Sequence, residues 1–297
     1  MTAVPESRRG LIHGTTAYFL WGLLPLYFHL VSRVDAGEIV AQRVLWSVGL
    51  LLLLVTLFRR LGSLWLGMRT PRILAMLSAS AFFIAANWLI YVWAVLHQQV
   101  LATSMAYFLN PLINIAMGVA LLGERLTRPQ GVAVLLAGAG VIIQAMGAES
   151  GLWISLSLAF SFALYGLIRK FAPVAAFEGL TIETLLLAPV ALGYLVWLSD
   201  HGGISFGRED ELTALLVLAG AVTTVPLLLF AVAARELRMA TLGLLQFIAP
   251  SIQFVLAITL FGEHIDAQRL LSFGLIWAGL AIYVVSTMRP RQGRQSA

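Results

Sequence analysis

No cysteine occurs in the 297 residues, which excludes disulfides, thiolate-held metals and thiol nucleophiles. Charge is scarce as well: 11% of the residues are Asp, Glu, Lys or Arg, against roughly 25% in a soluble domain. What remains is 60% hydrophobic, with a mean hydropathy of +0.91, more apolar surface than a water-soluble fold can hide. Enzyme signatures are missing too, since no H-E-x-x-H, G-x-S-x-G or G-x-x-x-x-G-K-[ST] run is present. The five histidines, His13, His29, His97, His201 and His264, are scattered near the ends of apolar runs and form no metal set. These gaps point away from an enzyme, a cofactor or a metal and toward a polytopic membrane protein. A net charge of +5 with a pI near 10.0 would suit nucleic acid. The basic residues instead sit in short connections, where they orient a membrane protein, so no nucleic-acid partner is expected.

What is there is a series of ten apolar segments, each long enough to span roughly 30 Å of hydrocarbon. They are Leu11–Val31, Glu38–Phe58, Ile73–Leu96, Ala102–Leu122, Gln130–Met146, Leu152–Lys170, Gly179–Leu198, Leu212–Ala234, Ala240–Phe261 and Leu270–Thr287. The first is about twice the length of a signal-peptide core and no small-x-small cleavage site follows it, so it reads as a spanning helix. The longest connection, Ser199–Glu211, is Gly-rich and acidic and reads as an exposed loop. With the N-terminus inside, fifteen basic residues, Arg169 and Lys170 among them, fall on the cytoplasmic side, against Arg33, Arg208 and Arg269 outside. Both termini are then cytoplasmic.

The fourth and ninth segments are two copies of one design. Thr103, Tyr107, Asn110 and Asn114 fall on one helical stripe, beside Pro111 at mid-span. Pro250 lies 139 residues after Pro111 and Glu263 lies 139 after Glu124; the same offset places Gln246 on Tyr107 and Gln253 on Asn114. The fold class is therefore all-α integral membrane, with ten transmembrane helices as two five-helix repeats. Five is odd, so the second repeat is inverted relative to the first. The divisions are 1–10, a cytoplasmic N-terminus; 11–148, the first repeat; 149–288, the second; and 289–297, a basic tail.

Unpaired polar groups in hydrocarbon cost several kcal/mol, so the stripes must face protein or a wet cavity. Trp21, Asn87, Asn110, Thr223 and Thr224 lie at one depth near the midplane, and Tyr91 shares a face with Asn87. Tyr165 joins them if YGL at Tyr165–Leu167 is matched to WGL at Trp21–Leu23. The substrate-binding candidates are Trp21, Arg43, Asn87, Tyr91, Tyr107, Asn110, Asn114, Tyr165, Thr224, Gln246 and Gln253, with Pro111 and Pro250 as hinges. Two ionisable residues stand inside spans. Arg43 either holds an anionic substrate group or gates the path, or pairs with carbonyls or Glu38. Glu183 is the only deep carboxylate and the candidate for proton coupling, the alternative being that it snorkels to the interface. Gly131, Gly138 and Gly140 on helix five and Gly274, Ala278 and Gly279 on helix ten suit close helix packing, with a homodimer face as the sharper alternative. Trp65 and Trp153 read as boundary anchors, and the Gly-Glu pairs at 123–124 and 262–263 as turns.

The duplicated block, with its proline twelve residues before a Gly-Glu pair, resembles the ten-helix EamA branch of the drug/metabolite transporter superfamily. WGLLPLYFHLV (21–31), EIVAQRVLWS (38–47), NWLIYVWAV (87–95), SMAYFLNPLINIAMG (104–118) and GLTIETLLLAPVAL (179–192) bring it closer to RarD-type permeases. The resemblance spans about His13 to Thr287. It implies a bacterial cytoplasmic-membrane permease, working by alternating access on amino acids, other metabolites or drugs, usually outward. From both lines of reasoning the expected partners are a small-molecule substrate and the lipid bilayer.

Overall fold

Lipid leaves a backbone no outside hydrogen-bond partner, so apolar runs of this length resolve as helices. The computed structural model describes residues 7–96, 100–146, 152–260 and 267–288, and among these there is no strand. In chain order the helices are α1 (Arg8–Gly22), α2 (Leu24–Leu30), α3 (Ala36–Leu57), α4 (Leu61–Arg69), α5 (Pro71–Leu96), α6 (Val100–Leu122) and α7 (Arg128–Ala145), then α8 (Leu152–Phe171), α9 (Ala176–Asp200), α10 (Asp210–Glu236), α11 (Met239–Leu245), α12 (Ile248–Thr259) and α13 (Ala267–Met288). Each of the ten apolar segments is mostly helical where it is described, with interruptions at Leu23 and at Gln246–Phe247. Among the described residues, five helices, α3, α5, α8, α9 and α10, are long and apolar enough to cross a membrane.

Local chemistry sets the ends. Ser7 Oγ accepts from Gly10 N–H at the start of α1, and Asp35 Oδ1 accepts from Gly37 and Glu38 N–H at the start of α3. Gly123 ends α6 at φ +64°, a left-handed turn that suits glycine, as expected for the first Gly-Glu pair. The second pair, at 262–263, lies outside the described residues, as do the chain ends 1–6 and 289–297.

Three elements differ from the sequence reading. The first apolar segment is two helices, parted at Leu23, with Pro25 in the first turn of α2. The fourth is a single helix that runs unbroken through Pro111. Its counterpart does break, but at Gln246 and Phe247, where the backbone N–H groups bond back three residues to Gly243 and Leu244. Pro250 falls in the first turn of α12, where its missing N–H costs nothing. Pro25 and Pro250 thus mark the starts of short helices, while Pro111, Pro189 and Pro226 lie inside continuous ones. The third departure, α4, sits in what read as a plain connection.

Packing brings α3 against α10 and α9, α5 and α6 against α8, α1 against α10 and α12, and α6 against α11. The α6–α11 crossing is close: a Cβ at Gly243 would lie 2.6 Å from the Pro111 carbonyl oxygen. α7 and α13 pair tightly, with Gly140 against the Ser272 carbonyl and Gly279 against the Ala133 carbonyl, so these two glycines serve packing within one chain. Gly131, Gly138 and Gly274 meet nothing and lie outside that seam.

Candidate functional site

Where α1 gives way to α2, and α11 to α12, the helices enclose a cavity of about 220 Å³. Its walls are Tyr18 and Trp21 of α1, Leu24 and Phe28 of α2, Arg43 of α3, Ile84, Asn87, Trp88 and Tyr91 of α5, and Ala106, Tyr107 and Asn110 of α6. Leu158 and Phe162 of α8, Leu227 of α10, Gln246 at the break and Ala249 of α12 complete them. At ~30 Å³ per water the space holds roughly seven waters, smaller than the ~300–1,000 Å³ usual for drug-sized ligands.

Seven of the eleven candidates line this cavity: Trp21, Arg43, Asn87, Tyr91, Tyr107, Asn110 and Gln246. Asn87 is held by its amide nitrogen, which donates to the Leu158 carbonyl at 2.8 Å and to Ser161 Oγ at 3.0 Å. Tyr107 is 42% exposed and stands at the rim. Asn110 is 8% exposed, and its Oδ1 is buried without a hydrogen-bond partner. The Tyr18 hydroxyl is likewise buried and unpartnered. Polar groups in that state are strained unless something is delivered to them. Asn114 stands one turn behind the wall, where its Nδ2 donates to Gln246 Oε1 at 2.8 Å and so aims the glutamine. The side chain of Gln253 lies outside the described residues.

Two further candidates lie off the lining. Tyr165 is fully buried, stacked on Phe230 at a centroid distance of 5.8 Å, and lies outside the cavity lining. Phe162 and Trp21, edge to face at 5.8 Å, form the wall instead. Thr224 is 1% exposed and does not line the cavity; its neighbour Thr223 accepts from Arg43 Nε at 2.8 Å. One step along a helix turns a side chain by about 100°, which depth alone does not register.

The two ionisable residues have opposite surroundings. Arg43 does not pair with Glu38, whose carboxylate accepts from Ser205 and Phe206 N–H at 2.9 Å. Its guanidinium lies 5.2 Å from the Trp88 ring centroid and 5.9 Å from that of Phe28. Glu183 does not snorkel: it is 2% exposed, bonded by Ser80 Oγ and 3.5 Å from Arg169, itself 1% exposed. Arg169, counted among the cytoplasmic residues, is thus a buried partner in the last turn of α8, with its Nη2 on the Ala176 carbonyl at 2.8 Å. A signal for the contrast was available. Ala36-Gly37-Glu38 and Ala176-Phe177-Glu178 align at an offset of 140, and the same offset carries Arg43 onto Glu183. One helix position therefore holds a cation in the first half and an anion in the second.

Sequence reasoning also missed Glu124. Beyond its turn, its carboxylate accepts from Met239 N–H at 2.8 Å and Ala240 N–H at 3.1 Å, capping α11, with Arg238 at 3.9 Å. Lys170 donates to the Ala234 and Leu237 carbonyls, and Arg238 to the Arg125 carbonyl, so this end of the bundle is laced shut.

Comparison with known proteins fits this geometry. Residues 8–146 match the EamA-like transporter family. The chain is 43% identical to the protein RarD of Escherichia coli over 95% of its own length and 96% of that protein's. It is 46% identical to an uncharacterized transporter of Pseudomonas aeruginosa over 97% of each. The same organism's chloramphenicol-sensitive protein RarD is 31% identical over 93% of each chain. A solved crystal structure shares the fold with a TM-score of 0.74 at 18% identity, covering 94% of this chain and 99% of that one. With its membrane-length apolar helices and a polar chamber between them, the chain is a multi-pass membrane transporter and belongs to the EamA-like transporter family.

Proposed function

We propose that the protein is a secondary or facilitative permease of the bacterial cytoplasmic membrane, moving a small polar or zwitterionic metabolite or drug outward by alternating access. The observation that carries this reading is the cavity itself. Trp21, Asn87 and Asn110 from the first half and Phe162, Leu227 and Gln246 from the second meet around one chamber that holds unsatisfied polar atoms.

The inverted repeat draws support from packing. Exchanging the halves turns α1 on α10 into α8 on α5, α3 on α10 into α9 on α5, and α6 on α8 into α12 on α1, and every one of these contacts is present. With the N-terminus inside, as the basic residues favour, Phe28, Arg43, Tyr91 and Tyr107 lie in the outer halves of their helices. Glu124, Lys170 and Arg238 then close the inner end. The chamber in this conformation faces outward, and transport requires a second conformation in which the inner end opens.

Proteoliposomes loaded with candidate metabolites test the reading. Asn110→Leu removes the unpaired acceptor while keeping an apolar side chain of similar size. It is expected to reduce transport to the background of empty vesicles while the thermal midpoint stays within a few degrees of wild type. Wild-type flux in that variant removes Asn110 from the site. Binding without movement by the wild type would turn the reading toward a receptor.

A further inference from the structure

Resting on the permease reading, we infer that the cavity recognises a monoanion, a carboxylate on an aromatic or apolar body, seated on the free edge of Arg43. Among the described residues, Arg43 is the one charged residue in the cavity lining and no carboxylate lies within ion-pair distance of it. An arginine presents five N–H donors in a rigid fork. Here Nε is spent on Thr223 Oγ1, which fixes the plane, and the two terminal nitrogens remain for a bidentate acceptor.

The equivalent position of the other repeat shows how this fold treats a buried charge that needs no ligand. Glu183 has Arg169 opposite and Ser80 bonded to it, all within protein. Arg43 has no counter-ion among the described residues and faces a cavity instead. A guanidinium left that way is costly, and the rings of Trp88 and Phe28 offset only part of the cost. An entering carboxylate supplies the missing partner.

The remainder of the chamber sets the body of the ligand. Trp21, Phe28, Trp88 and Phe162 offer flat apolar faces suited to a ring. An ammonium would meet neutral acceptors such as Asn110 Oδ1, but no carboxylate among the described lining residues. A zwitterion of the same skeleton must strip water from its second charge with no opposing charge to meet it. The anion is therefore preferred to the zwitterion, the zwitterion to the neutral amide, and the free amine is rejected.

One carbon skeleton carries the test. Binding of 3-phenylpropanoate, phenylalanine, 3-phenylpropanamide and 3-phenylpropylamine is followed by tryptophan fluorescence of the purified protein, and movement by flux into proteoliposomes. The expected result is 3-phenylpropanoate binding about tenfold or more tighter than the amide, and no saturable binding of the amine. Arg43→Gln is expected to erase the propanoate's advantage over the amide, with an unshifted thermal midpoint reporting a folded chamber. Arg43→Lys keeps the order of preference with weaker binding, because the charge survives and the fork does not. Equal affinity across the series, binding of the amine, an unaltered order in Arg43→Gln, or no binding by any of the four overturns the inference. Binding in the predicted order without flux leaves the inference standing and overturns the permease reading instead.

Discussion

Glu183→Ala is expected to lower the stability of the purified protein by about 3–5 kcal/mol, because it strands the Arg169 guanidinium in a place where water does not reach. Arg169→Met alone should cost a similar amount by stranding the carboxylate. The pair Arg169→Met and Glu183→Leu made together should cost much less than the sum, since replacing both charges removes the desolvation penalty along with the attraction. Thermal unfolding in detergent reads all three. Additive losses would show that the two side chains do not depend on each other, and would leave Ser80 and the Ala176 carbonyl as their true partners. Glu183 was the sequence's candidate for a proton carrier. We propose that it braces α9 against α8 and α5 instead, a role in which Glu183→Gln alters stability but not the response of flux to a pH gradient.

The second large effect belongs to Glu124. Its carboxylate takes two N–H groups at the start of α11, and charge-assisted bonds of this kind contribute ~1.5–3 kcal/mol each. On the alternating-access reading, and with partial exposure discounted, Glu124→Ala is expected to release about 2–4 kcal/mol of closure at this end of the bundle, on the order of a hundredfold in the population of the opened form. The absence of native cysteine makes the measurement direct. Ala234 is fully buried at that end, and a single Ala234→Cys should react slowly with thiol reagents in the otherwise native chain. Adding Glu124→Ala should raise its labelling rate on the order of a hundredfold. An unchanged rate in a folded protein would remove Glu124 from the closure.

Much of this architecture was legible in the sequence because lipid makes hydropathy nearly sufficient. Five of the segments are membrane-length helices among the described residues, and the 139-residue offset rests on matched prolines and polar residues. Position along a helix was readable as well, so Trp21, Asn87, Tyr91, Tyr107, Asn110 and Gln246 were placed at the chamber. What depth does not carry is azimuth. Tyr165 and Thr224 have the right height and face the wrong way. Asn114 falls between these cases, behind the wall but bonded through it to Gln246. Arg169 was hidden for another reason. A basic residue at the end of an apolar run looks like an orientation signal, and only the carboxylate on the neighbouring helix reveals that it points inward. The breaks at Leu23 and at Gln246–Phe247 depend on which proline falls in a first turn, and that is decided by the packing around it.

Nine residues make α4 only about 13 Å long, too short to span. Leu64 and Gly67 turn inward, Gly67 against Ile182 of α9, while Trp65 and Leu66 face out, with Arg69 4.6 Å above the indole. A short helix with its faces divided this way suits the headgroup boundary, like an outrigger. The helix it is fastened to also bears Glu183. Any stroke that pushed α9 along the membrane normal would drag an indole out of its preferred layer, whereas tilting about the contact at Ile182 would not. On the permease reading, vertical travel is thereby discouraged and a pivot is left, with its fulcrum at the α4 end of the bundle and the widest sweep at the other.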